Sequence, residues 1–160
     1  MCEYCGCQEI AVIAELTVEH DAVVALVGTA RRQLEDCDLL ALVKTCRRIV
    51  ELLGPHTVVE EEGLFPAMVD GFPEHVEALR SEHRQIEAVL SECAHGLPDD
   101  PTWPSRLSSS FHLLREHILK EQDGVFPAAL ASLSSTEWER IEGIRARAGS
   151  ALRLAQKEFS

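Results

Sequence analysis

Aromatic residues are scarce in this chain, 5% of the total, and runs of β-branched residues are few, so the segments that build sandwiches and barrels are missing. Basic residues are scarce as well: 15 Lys and Arg stand against 27 Asp and Glu, a formal charge of -12. They are scattered, which argues against a nucleic-acid backbone or an anionic membrane surface as partner, since both need a basic patch. No apolar run approaches the roughly 20 residues that cross a bilayer, and no Lys or Arg precedes Arg31, so a leader with a basic start is not expected. A cytoplasmic protein follows as the expectation. Nucleophile elbows and phosphate-binding loops are missing too, which removes the support for hydrolase and nucleotide chemistry.

What is present is an ordinary globular composition, 46% apolar and 26% charged over 160 residues, enough for one domain with a real core. The six cysteines do not read as a disulfide scaffold, because such scaffolds are small, loop-rich and secreted. Cys37, Cys46 and Cys93 are read as thiols within helical segments. Cys2, Cys5 and Cys7 form C-x2-C-x-C, a spacing open to several readings: thiolates around zinc or an iron-sulfur cluster, a redox or copper-binding thiol set, or a segment without chemistry.

The apolar spacing is helical throughout. Ile13, Leu16, Val23, Val24, Val27 and Leu34 mark a first helix over 9–35. Asp36, Cys37 and Asp38 open a second, running past Leu42, Ile49 and Leu53 towards Glu62, with Pro55 expected to kink it. A third is expected from near Asp70 to Gly96, a loop from Pro98 to Pro104, and a fourth from about Ser105 to Leu130. Ser134 and Glu137 make a capping box for a fifth, shorter helix reaching about Lys157. The fold class is all-α.

The chain also repeats itself. Residues 19–27 read EHDAVVALV and residues 82–90 read EHRQIEAVL; residues 56–67 read HTVVEEEGLFPA and residues 117–128 read HILKEQDGVFPA. Four of the seven histidines therefore fall on matched positions. His56 with Glu60, and His117 with Glu121, are four residues apart, roughly 6 Å of rise and 40° of rotation on a helix, so each pair shares a face as a chelate. His20 and His83 lie on apolar stripes and point inward. A single buried histidine is commonly satisfied by a neighbour or by water. Six buried ligand-type side chains with no Lys or Arg on the inward stripe are better explained by metal, because unpaired buried carboxylates cost several kcal/mol each. Four imidazoles and two carboxylates exceed one coordination shell and leave open positions on two, and such sets suit iron, manganese or zinc.

On these residues the chain resembles the hemerythrin and HHE cation-binding family over about residues 10–131, most specifically in the two H-x3-E segments that end in Leu64-Phe65-Pro66 and Val125-Phe126-Pro127. The resemblance implies an up-down antiparallel four-helix bundle with an additional C-terminal helix. It divides the chain into a cysteine-rich segment over 1–8, the bundle over 9–131 and the tail helix over 132–160. Carried over by position, the ligands are His20, His56, Glu60, His83, His117 and Glu121, around two iron ions that are oxo- or hydroxo-bridged when oxidised. The family's oxygen carriers have a further histidine where this chain has Leu79, and an Asp five residues after the last histidine where this chain has Glu121 at four. A more symmetric site is implied, two histidines per metal, which points away from reversible oxygen carriage. The partner expected is a small diatomic molecule or peroxide, O2, hydrogen peroxide or nitric oxide. The alternatives are an iron- or oxygen-responsive regulatory module without turnover, and a plain structural bundle. Glu61 reads either as a support behind the ligands or, the commoner placement of glutamate, as part of a solvated helix face with Glu62 and Gln122, and His75, His95 and His112 read as surface residues.

Overall fold

A computed structural model describes residues 10–152, most of them helical, with no strand among the described residues. The described residues form five helical rods. The first is α1, Ala11–Glu35. The second is α2, Leu39–Val58, which passes without a break into a π-helical turn, Val59–Leu64, and then α3, Phe65–Met68. The third is α4, Pro73–Ser91. The fourth is α5, Trp103–Lys120, followed by a second π turn, Glu121–Val125, and α6, Phe126–Ser132. The fifth is α7, Ser135–Ala148.

The helix starts follow local chemistry. Asp38 caps α2 by accepting from the Ala41 N–H at 3.3 Å, and Ser134 with Glu137 closes a capping box on α7. Pro73 opens α4 and Pro104 sits in the first turn of α5, where a missing N–H costs nothing. The expected start of α4 near Asp70 is corrected by three residues, because Phe72 has non-helical backbone angles (φ -139, ψ 53) and the helix begins only after it. Residues after Ser91 form turns rather than carrying the helix to Gly96. Pro55 lies inside α2 without ending it, and the irregularity comes in the next turn as a π turn. The fifth helix ends at Ala148, short of the expected Lys157, because Gly149 takes φ 73, a left-handed value that breaks the α ladder.

The core is split in two along the rods. One apolar cluster gathers Val23, Val27, Leu42, Ile49, Ile86, Leu90, Leu107, Phe111 and Leu114. The other gathers Leu16, Leu64, Phe65, Val76, Leu79, Phe126, Trp138 and Ile141. On three of the rods that contribute a matched histidine, the histidine falls in sequence between the residues of one cluster and those of the other; on the fourth, Ile118 of the first cluster follows His117 and the second cluster begins at Phe126, so the polar residues still form a layer between two apolar ones. Val24, expected on the inward stripe, is 36% exposed instead. Burying an aliphatic side chain in either cluster contributes about 1.5–3 kcal/mol, and these layers hold the polar one in place. No helix among the described residues is long and apolar enough to cross a membrane.

Candidate metal centre

Six side chains converge in the polar layer: His20 from α1, His56 from α2, His83 from α4, His117 from α5, and Glu60 and Glu121 from the two π turns. Glu60 and Glu121 are 0% exposed, and His20, His56 and His117 are each 2% exposed. Two overlapping clusters result, His20–His56–Glu60–Glu121 and His83–His117–Glu60–Glu121, each able to offer four ligand atoms lying within 4.8 Å of one another. Both carboxylates belong to both clusters. Glu60 turns Oε1 to His56 Nε2 at 2.6 Å and Oε2 to His83 Nε2 at 3.1 Å, so its two oxygens face different halves. Glu121 Oε1 lies 3.3 Å from His20 Nε2 and 3.0 Å from His117 Nε2.

These distances fit a metal better than hydrogen bonds. All four Glu60 and Glu121 oxygens, and His117 Nε2, are buried without a hydrogen-bond partner, although orphaned carboxylate oxygens cost several kcal/mol in a dry interior. His56 Nε2 and His20 Nε2 face each other at 3.0 Å. Two ligand atoms bound at right angles to one ion, each roughly 2.1 Å from it, are about 3.0 Å apart, the separation seen here.

Each imidazole is aimed by an oxygen on its outer nitrogen. Nδ1 of His20 lies 2.8 Å from Gln122 Oε1, and Nδ1 of His56 lies 3.1 Å from Glu19 Oε1. Nδ1 of His83 lies 2.9 Å from Glu61 Oε1, and Nδ1 of His117 lies 2.8 Å from Glu82 Oε2. All four partners accept, so Nδ1 carries a proton and Nε2 is the nitrogen turned inward to bind a metal once its own proton leaves. Glu61 thereby takes the supporting place, and Gln122 is removed from the solvated face where the pattern put it. Glu19 and Glu82 carried no role in the pattern, yet the signal lay in the repeat: Glu precedes His in both EH pairs, and Glu60-Glu61 aligns with Glu121-Gln122.

The π turns explain how neighbours serve different tasks. Each closes on an i to i-5 bond, Phe65 N–H to Glu60 O and Phe126 N–H to Glu121 O, adding about one residue to the turn. Residue i+5 is thus carried back over residue i. Phe65 stacks on His83 (centroids 5.7 Å apart) and Phe126 on His20 (5.4 Å), each phenylalanine covering the lone histidine of the other half.

The electrostatics describe a site that demands cations. Burial alone lowers His20, but Glu121 and Glu60 outweigh it and raise its imidazole to about 10. Burial is likewise overcome at His56, raised to about 9 by Glu60 and Glu19, and at His117, raised to about 10 by Glu121 and Glu82. His83 is raised in the same sense against its burial, by Glu60. Burial raises Glu60, yet the imidazoles of His56, His20 and His83 bring its carboxyl well below the ordinary range. Protons or metal ions must balance the two carboxylates, so metal binding here displaces protons.

A cavity of about 220 Å³ ends on the four imidazoles. Leu53, Ile86, Leu90, Leu114 and Ile118 wall it, and exposed Val50, Gly54 and Val58 stand at its lip. Leu79 is 2% exposed and packs in the second apolar cluster. His75, His95 and His112 are exposed as expected. Cys46 and Cys93 are buried free thiols and Cys37 an exposed one. Cys2, Cys5 and Cys7 lie outside the described residues.

A helical rod pattern carrying two matched His/Glu sets is what a family of metal-binding helical domains shares. The model of the hemerythrin HHE cation binding domain matches residues 11–129, and the chain belongs to that family. No curated protein and no solved structure matches it.

Proposed function

We propose that the protein is a non-haem di-iron protein that binds or reacts with O2, hydrogen peroxide or nitric oxide. In this reading the rods form an up-down antiparallel four-helix bundle with α7 added, and His20, His56, Glu60, His83, His117 and Glu121 are the metal ligands. The observation that carries the reading is the pair of four-ligand clusters that share Glu60 and Glu121. Two ions held by common carboxylates, with two imidazoles each, match the bundle cores in which di-iron is found. Iron would supply the redox chemistry.

The chain's own residues do the rest. Glu19, Glu61, Glu82 and Gln122 fix the imidazoles before any ligand arrives. Phe65 and Phe126 close the layer against water on the side away from the cavity. The cavity has room for about seven waters at about 30 Å³ each, ample for a diatomic molecule or peroxide, and its aliphatic wall favours small, weakly hydrated ligands.

The test is iron content per chain, with the optical spectrum recorded before and after azide or peroxide is added to anaerobically reconstituted protein. About two irons and charge-transfer bands that shift on addition are expected. No bound iron, or binding of zinc alone, would end the redox reading and leave a structural or sensing module.

A further inference from the structure

The four imidazoles are related by the repeat, but what stands behind them is not. Glu19, which holds His56, is 1% exposed and gripped from α7 and beyond: Arg145 donates Nη1 to Oε1 at 2.7 Å and Nη2 to Oε2 at 3.2 Å, and Ser150 Oγ donates to Oε2 at 2.7 Å. Arg145 is itself 4% exposed, with Glu15 Oε2 3.5 Å from its Nε. Glu82, the counterpart that holds His117, is gripped by Lys120, whose side chain is 54% exposed. The outer partner of His83, Glu61, is 36% exposed, and His83 is the most open of the four imidazoles at 9%.

The same contrast holds at the π turns. Pro66 has no N–H for the carbonyl of Glu62, and Arg140 of α7 supplies donors instead, to Glu62 O at 3.2 Å and Gly63 O at 3.0 Å. A Cβ at Gly63 would meet Ile141 and Ile144 of α7 at 3.4 Å, whereas one at Gly124, the matched residue of the second half, would meet nothing within 4 Å. Among the described residues, the hydrogen bonds that α7 makes to a π turn, and to a carboxylate behind an imidazole, fall on the His56–Glu60 half.

We infer that α7 makes the two metal positions kinetically unequal: the position at His20 and His56 retains its ion, and the position at His83 and His117 exchanges it. The inference rests on the two-metal reading. An ion leaves when its imidazoles rotate away. His56 can rotate only by parting from a carboxylate that a buried guanidinium and a hydroxyl hold in place, and breaking a buried pair leaves an uncompensated charge. His83 parts from Glu61, whose side chain is 36% exposed, and His117 from a Glu82 that is buried but whose cation, Lys120, is 54% exposed and free to swing into water, so neither release breaks a pair buried on both sides. Arg145 is a positioning residue in this scheme, acting on the metal through Glu19 and His56.

The experiment is release of ferrous iron from the anaerobically loaded full chain into excess colorimetric ferrous chelator. Two phases of equal amplitude are expected, one ion each, with rates at least tenfold apart. Arg145→Gln should accelerate the slow phase tenfold or more and leave the fast phase unchanged, Arg145→Lys should restore part of the difference, and Glu61→Gln should change the fast phase only. If Arg145→Gln does not fold, Ser150→Ala should accelerate the slow phase in the same direction. A single phase from protein that holds two irons overturns the inference alone, as do two phases that neither Arg145→Gln nor Ser150→Ala alters. Protein that holds fewer than two irons overturns the two-metal reading, and the inference with it.

Discussion

Glu60 and Glu121 are buried acids whose oxygens find metal geometry but no hydrogen bonds, so the charge balance of the centre is decided residue by residue. With raised imidazoles, the metal-free protein gains stability from protonated histidines. That stability is fully present below their unfolded value of about 6.5 and is lost as pH rises through about 9 for His56 and about 10 for His20 and His117. Urea denaturation of the metal-free chain should therefore show stability falling from pH 7 towards pH 10, and metal loading should remove most of that slope. Burial raises Glu19, but His56, Arg145 and Ser150 prevail and lower its carboxyl to about 2. Its contribution is present above about 4.5 and is lost as pH falls towards 2, which sets the acid limit. The outer carboxylates also have a direct measure: Glu82→Gln should weaken metal affinity about 10–100-fold, the usual cost of removing a ligand's orienting partner, with helix content by circular dichroism unchanged. An affinity equal to that of the parent would show that Lys120 and Glu82 hold each other and do nothing for His117.

Among the elements, the two π turns set where Phe65 and Phe126 fall, because an α-helical turn would leave them off the histidines they cover. The repeat made both H-x3-E chelates legible, along with the phenylalanine and proline that follow. It did not show the wider turn, since α and π helices are made from the same residue types and differ by one residue in where the hydrogen bond closes. A paired substitution tests the environment of the turns. Gly63→Leu should destabilise by about 1–3 kcal/mol, as overpacking against Ile141 and Ile144 does. Gly124→Ala, with open space around it, should be neutral or stabilising by up to about 1 kcal/mol. Thermal unfolding of the two variants reads the difference, and equal effects would mean that α7 does not lie against the first turn in solution.

For the whole molecule, a polar layer between two apolar ones ties stability to metal. Free ligand at about 100 times its dissociation constant stabilises a one-site protein by about 2.7 kcal/mol, so the Tm should climb with ferrous iron concentration and fall on chelation. A Tm indifferent to iron would mean that protonated histidines satisfy the layer by themselves. Leu16→Ala and Leu52→Ala, in opposite clusters and both at most 1% exposed, should each cost about 2–5 kcal/mol. Similar losses from both would show that the two halves of the core unfold together.

The helical class, the five rods, though not where the third and fifth end, and the six converging ligand-type side chains were all legible in the chain, because helical periodicity and a chelate spacing are local, and a repeat restates them. Which residues stand behind the ligands was not legible. Glu19 and Glu82 sit one position before the inward histidines, turned about a quarter of a revolution away on the helix, and whether such a side chain meets water or a neighbouring imidazole depends on which rod lies beside it. Arg145 shows the limit most clearly. It is a cation 126 residues from its carboxylate, with no periodic relation to the repeat, and only the docking of α7 against one half brings the two together. That docking is the work of side chains meeting across rods, a long-range contact that a one-dimensional pattern does not encode.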